Sequence, residues 1–217
     1  MDRRPIRKPA SPKEAEDDGR PSGARAIAAK AATPVTLVRG TLLVASREQV
    51  GALGLYGRYE AALSDAANHQ LAELIAASWV PVELALEHFR AIDQLELPID
   101  VVEKATGAVA AKLQGSVLRT VAKVVQASGA SPLSIVRTVG MLWGRTFQGG
   151  AIEVRSTGPK EGVVRLLGSP LLASRYHRTG VRVHVQRASD LFSVRAIVRE
   201  QSYKGAAQEL TLRVQWV

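Results

Sequence analysis

The chain has no cysteine among its 217 residues. Disulfides, thiolate metal sites and thiol nucleophiles are therefore all excluded. A chain without disulfides suits a reducing compartment, and a cytoplasmic location is expected. No apolar run approaches the roughly 18 residues that a membrane span needs. The N-terminus is charged but has no apolar core of the kind a secretory signal carries. Catalytic signatures are missing as well. No Gly-x-Ser-x-Gly elbow precedes a helix, and no glycine-rich loop runs into Lys-Ser/Thr. Gly51, Gly54 and Gly57 are spaced by threes, which suits turns and not a nucleotide fingerprint. Aromatic residues make up only 5% of the chain, so each tryptophan carries unusual weight as a marker of core or pocket.

What is present is apolar mass and an uneven basic charge. With 46% hydrophobic residues the chain can bury a substantial core, and its length suits one domain. The net charge of +9 is not spread evenly. Residues 34–136 hold eight Lys/Arg against ten Asp/Glu, whereas residues 137–217 hold thirteen against five. Eleven of those thirteen cations are arginines, whose planar fork suits bidentate contact with carboxylate or phosphate. A solvated basic face and a docking surface for an anionic partner both explain that bias.

Residues 1–33 read as a disordered basic tail, because Pro5, Pro9, Pro12 and Pro21 interrupt any helix and both charge signs are mixed between them. Residues 34–217 then form a single α+β domain. A short extended segment from Val35 leads into helix around Arg47. A helix is expected over residues 58–77, with Leu63, Ala67, Leu71, Leu74 and Ile75 on one face. Pro81 and Pro98 each suit the first turn of a helix, where a missing N–H costs nothing. The second of these opens a long helical stretch to about Ala127, with a break expected near Gly115. Ser131 and Pro132 begin a further helix. On it Leu133, Val136, Gly140, Trp143 and Phe147 form a stripe that ends at Gly149-Gly150.

Beyond Gly150 the period changes to two. Ile152 and Val154, then Val163, Arg165 and Leu167, flank a Gly158-Pro159 turn and read as a hairpin. Val194, Ala196 and Val198 alternate with arginines, and Leu210, Leu212, Val214 and Trp216 share a face opposite Thr211, Arg213 and Gln215. Helices followed by strands imply an antiparallel sheet. The segment between the strand pairs fits either state: Val181, Val183 and Val185 alternate as a strand, while Val181, Val185, Ala188 and Phe192 fit a helix. Leu133, Val136, Trp143, Phe147, Leu212 and Trp216 are expected to be buried in one core.

Three motifs carry a family likeness: Ser78-Trp79-Val80-Pro81-Val82-Glu83-Leu84, the helix ending in Trp143 and Phe147-Gln148-Gly149-Gly150, and the terminal Val214-Gln215-Trp216. Together they resemble a myxobacterial paralogous family of unassigned function. That family is similar to the superfamily of haem–nitric-oxide-binding sensors, vinyl-reductase-like sensor domains and transport-complex (TRAPP) subunits. The resemblance spans about Val35 to Val217. It implies a helical layer on a four-stranded antiparallel sheet, β-β-α-β-β at the C-terminus, with a helix near Arg175–Phe192 joining the strand pairs. It also implies an apolar ligand pocket and a tendency to dimerise. The haem sensors hold iron through a histidine on a helix near the sheet, and this chain has none over 98–127 or 131–149. The vinyl-reductase-like relatives carry cysteines near the last strands, and here there are none. No haem, cysteine-held metal or other cofactor is therefore expected.

The four histidines offer little chemistry. His69 and Glu73 lie one helical turn apart but lack a third ligand, so an exposed pair is expected. His88 beside the Phe89 stripe reads as a partly buried, hydrogen-bonded residue. His177 and His184 are seven residues apart, too far for one helix to chelate one ion. Glu83 and Glu87 read as a solvated helix face. A pocket lined by Trp143, Phe147 and Phe89 is the site expectation, with no catalytic residues and no metal ligands. Arg175, Arg178 and Arg182 would line the flank of the joining helix, exposed and mutually repelling, as a partner surface. The function expected is a non-enzymatic, dimeric regulatory or scaffold module for signalling, binding a small apolar ligand or a protein partner. Two alternatives stand beside it: a nucleic-acid-binding protein using the arginine-rich C-terminal region, disfavoured because no recognised motif or interleaved aromatics accompany the arginines, and a small enzyme drawing on His88 and nearby carboxylates.

Overall fold

The computed structural model describes residues 32–127, 143–190 and 195–217, with side chains described for all of these except 114–127. The Ser131-Pro132 cap, Leu133, Val136, Gly140, Phe192 and Val194 lie outside the described residues, as does the expected tail up to Ala31.

Residues 32–36 have no regular structure and lead to β1 (Leu37–Arg39), which runs straight into α1 (Gly40–Ala52). The helix expected over 58–77 is two shorter ones, α2 (Tyr56–Glu60) and α3 (Asp65–Ala72). Ser64 causes the break. Its hydroxyl accepts from Ala67 N at 3.2 Å as an N-cap, while its own N–H donates to the Glu87 carboxylate at 2.7 Å. Ile75, expected on the buried face, is consequently 71% exposed in the loop that follows. β2 (Trp79–Pro81) then leads into α4 (Val82–Asp93), with Pro81 at the N-cap. The long helix α5 (Ile99–Ala127) starts just after Pro98 and continues through Gly115 without the expected break.

Residues 143–146 are helical, but Phe147 and Gln148 are not the end of that helix. They form β3 (Phe147–Gln148), which pairs antiparallel with β1 on the side opposite β2. Gly149 and Gly150 follow with positive φ of 92° and 68°, a conformation that glycine adopts without steric cost. The close approach of the chain explains both. A Cβ on Gly149 would stand 2.1 Å from Pro34 O, and Gly150 N donates to Thr33 O at 2.6 Å.

The main sheet is β4 (Ala151–Gly158), β5 (Glu161–Leu167), β6 (Ala196–Lys204) and β7 (Glu209–Trp216), all antiparallel in the order β4-β5-β7-β6. Between the two hairpins lie a 3₁₀ turn (Pro170–Ala173) and α6 (Arg175–Asp190). The segment that fitted strand or helix is therefore helix. On β7 the expected alternation holds from Leu212 to Gln215, with Leu210, Leu212 and Val214 fully buried and Arg213 and Gln215 exposed; Thr211, expected on the wet face, is buried, and Trp216 is half-buried.

Two apolar clusters form in place of the single core expected. Phe89, Leu43, Leu71, Ile92, Phe147 and Tyr176 belong to the helical one, and Val164, Leu166, Leu172, Val185, Leu210 and Leu212 to the sheet. Trp143 is only half-buried and touches both, and Trp216 sits at the margin of the sheet cluster. The physical reason is β3. Pairing with β1 draws Phe147 into the helical layer, while β7 must cover its apolar face with α6. The tight turn at Gly149 holds that arrangement. Gly149→Ala adds backbone strain of about 1–2 kcal/mol and overpacking of about 1–3 kcal/mol, whereas Gly57→Ala, in α2 with nothing within 4 Å, stabilises by about 0.5–1 kcal/mol. Denaturant unfolding of the two variants checks this; equal midpoints for Gly149→Ala and the parent chain would show an unstrained turn.

Candidate ligand cavity

The helix α6 sets one wall of the site, and polar groups fix its position. Its first free N–H groups are all satisfied. Those of Arg175 and Tyr176 donate to the Asp93 carboxylate at 3.0 and 2.8 Å, and that of His177 donates to Ser174 Oγ at 3.1 Å. Asp93 ends α4, so one carboxylate both neutralises the positive end of the α6 dipole and ties it to the helical layer. Near the other end, Gln186 behaves like a strand residue towards β6. It donates to Ala196 O at 2.9 Å and accepts from Val198 N at 2.8 Å. Small residues let α5 and α6 approach closely: Gly180 faces Thr106, and a Cβ on Gly107 would stand 2.9 Å from the Arg187 guanidinium.

Between the two clusters these walls leave a cavity of about 710 Å³. Leu42 and Ser46 of α1, Phe89 of α4, and Thr106, Val109, Ala110 and Leu113 of α5 line the helical side. Ile152, Val164 and Leu166 line the sheet side, and Tyr176, His177, Val181, His184 and Val185 come from α6. Trp143 and Phe147 join the two sides, their rings 4.2 Å apart. The volume suits a small organic molecule, and so does a lining that is mostly aliphatic and aromatic with a few polar groups. Trp143 is held by its own indole N–H, which donates to Gly149 O at 3.0 Å.

All three expected pocket residues, Trp143, Phe147 and Phe89, stand in this wall. Sequence reasoning missed His177 and His184. Their seven-residue spacing is too long for a metal edge, but two turns of helix place both residues along one cavity wall. Among the described residues, no three His, Asp or Glu side chains gather as a metal site. His69 pairs with Glu73 at 3.5 Å on the surface. His88 is fully buried, not partly. It lies behind Phe89 and shares a 2.6 Å hydrogen bond between its Nδ1 and the Tyr59 hydroxyl.

The arginine flank differs from expectation. Arg175, Arg178 and Arg182 do share a shallow groove with Glu103 and Glu200. Only Arg175 is exposed. Arg182 is ion-paired with Glu103 of α5, and Arg178 lies over the Tyr203 ring at 4.4 Å, donates to Leu172 O at 2.7 Å and faces Glu200 at 3.8 Å. Carboxylates from neighbouring elements thus offset the repulsion that the sequence suggested.

Burial decides the ionisation of His88, His177 and His184. Desolvation, with Arg47 adding repulsion, pushes His88 down to about 3. Desolvation first, and then Arg178 or Arg187, pushes His177 and His184 down to about 4. Each is neutral in the folded chain, whereas the unfolded chain takes up a proton below about pH 6.5. Stability is therefore unaffected above pH 6.5 and is lost as pH falls from there towards 4, because the unfolded state binds more protons in that window. At pH 5 the loss is about 1–2 kcal/mol per fully buried histidine. Denaturant unfolding at pH 7.5 and 5.0 measures it, and His177→Phe should flatten the dependence; equal stabilities at the two pH values would mean the imidazoles are hydrated.

No protein-family model and no curated protein matches the sequence. Solved structures do match the fold. An unliganded Fe(II) H-NOX protein from K. algicida aligns at a TM-score of 0.58 with 9% identity, over 82% of this chain and 96% of that one. An H-NOX protein from S. oneidensis in the Fe(II)NO state aligns at 0.53 with 11% identity, over 82% and 99%. An oxygen-binding H-NOX domain related to soluble guanylate cyclases aligns at 0.52 with 9% identity, over 82% and 94%. At such identities it is the fold that is shared: the chain has an H-NOX-like fold, α+β with a four-stranded antiparallel sheet.

Proposed function

We propose that this chain is a non-enzymatic regulatory module that takes up a small, largely apolar molecule between its helical layer and its sheet, and that it does so without haem. The observation carrying this reading is the cavity of about 710 Å³ at the seam of two separate apolar clusters. A molecule seated there would bury its own apolar surface at roughly 25 cal/mol per Å². It would also contact Trp143, the residue common to both clusters. Binding then favours whichever packing of helices on sheet the ligand fits best. The bound state would be passed to a protein partner or a second copy of the chain.

Haem does not fit the donor set. Neither α5 nor residues 128–149 contain a histidine. Among the described residues, the histidines in the cavity wall come from α6. The His177 ring is flanked closely by Phe89 at 5.0 Å and Phe147 at 6.0 Å. That crowding by two aromatic rings, with no histidine on α5, supports the haem-free reading. Tryptophan fluorescence provides the test, since Trp79 and Trp143 both line the cavity. Butylbenzene should quench the emission saturably and raise Tm, as a ligand that binds only the folded chain must. Ala110→Phe, which fills the space from α5, should abolish both effects while the variant stays folded. Titration with haemin should give no stoichiometric Soret band. A sharp one-to-one haem spectrum, or no saturable response to the hydrocarbon, would defeat the reading.

A further inference from the structure

Three polar atoms in the wall of this cavity have no partner beyond one another. Ser46 Oγ, Tyr176 OH and His177 Nε2 are all buried; the two hydroxyls lie close enough to bond to each other, and His177 Nε2 makes no hydrogen bond. Their residues are buried too, at 0%, 4% and 5% exposure. Leaving a buried hydroxyl or imidazole short of partners costs about as much as a lost hydrogen bond, so natural proteins seldom tolerate one, and such a cluster in one cavity calls for a cause. The three also lie close together. The Tyr176 ring stacks on Phe89 at 6.0 Å and the His177 ring meets Phe89 at 5.0 Å, while Ser46 on α1 neighbours the Tyr176 hydroxyl.

Resting on the cavity-binding reading above, we propose that the cavity's ligand carries an uncharged acceptor oxygen, a ketone or similar carbonyl, seated against Ser46, Tyr176 and His177 with its hydrocarbon body among Phe89, Trp143 and Phe147. With one hydroxyl donating to the other, two donors remain, one from the Ser46–Tyr176 pair and one from His177 Nε2, and a carbonyl oxygen has two lone pairs to receive them. A hydrocarbon would leave both of these donors unmatched. A carboxylate would bring a charge into a place without a buried cation. Arg39 lies over the Trp79 ring at 5.0 Å, Lys112 is paired with Glu48, and Arg145 is exposed. Burial also keeps the site neutral: it raises the Tyr176 phenol above its ordinary value and holds the His177 imidazole unprotonated. These are donors without charge, matched to an acceptor without charge.

Three probes of nearly one shape test this on the full chain by calorimetry at pH 7.5: 4-phenylbutan-2-one, butylbenzene and 3-phenylpropanoate. Tyr176→Phe keeps the ring and removes the hydroxyl; Ser46→Ala is the second variant, and circular dichroism confirms the fold of each. The expected result is that Tyr176→Phe weakens the ketone roughly tenfold and Ser46→Ala several-fold, with butylbenzene unchanged by either. The carboxylate should bind the parent chain more weakly than the ketone. If both variants change ketone and hydrocarbon alike, or the carboxylate binds tightest, the carbonyl assignment is overturned and the apolar cavity survives. If none of the three binds, the cavity reading itself fails and this inference falls with it.

Discussion

The structure depends on how α6 is held. One carboxylate, Asp93, supplies both oxygens to the first two N–H groups of that helix, and one amide, Gln186, clips its far half to the backbone of β6. A helix N-terminus buried without acceptors is costly, and so is an unpaired edge of strand. Both are satisfied by side chains that reach across layers. Because α6 is tied to α4 at one end and to β6 further along, it cannot settle fully into either apolar cluster. Tyr176 belongs to the helical cluster and Val185 to the sheet cluster.

That constraint explains why the domain has a cavity at all. Protein interiors normally collapse to close packing, and an unfilled space forfeits dispersion contacts along its whole lining. Here collapse is opposed from several sides. The β1–β3 pairing fixes Phe147, the Gly149-Gly150 turn fixes the start of β4, and the indole of Trp143 is bonded to Gly149 O. The 3₁₀ turn divides neighbouring residues between the clusters, with Leu171 in one and Leu172 in the other. Space remains where the two sets of restraints do not meet.

The likeness to H-NOX domains is a likeness of scaffold. A shared architecture hosts different chemistries when the residues facing its cavity change. In this chain those residues are mostly apolar, with a neutral polar set around Phe89 and with Arg39, Lys112 and Arg145 also in the lining, and among the described residues the histidines of the wall come from α6. The arginine bias of the C-terminal region is likewise less distinctive in space than along the chain. Glu103 and Glu200 answer two of the three flank arginines, and Glu153, Glu161 and Glu209 answer Arg165 and Arg213 on the sheet.

The order of helices and strands, the two hairpins and the buried face of β7 were legible because each is written in local periodicity: 3.6 for helices, two for strands, with Gly158-Pro159 marking the turn. Trp143, Phe147 and Phe89 stood out as cavity-lining residues because aromatics are scarce in this chain. What the sequence could not decide depended on partners distant along the chain. Phe147 continues a helical stripe by spacing, yet it becomes a strand residue because Val38 is there to pair with it. The 58–77 helix breaks where Glu87, 23 residues beyond Ser64, accepts its N–H. His177 and Ser46 have nothing in common along the chain, and only the crossing of α6 over the helical layer brings them to one cavity. Periodicity determines which face of an element is apolar; what that face meets, and what it leaves unsatisfied, is decided by contacts that exist only after the layers have packed.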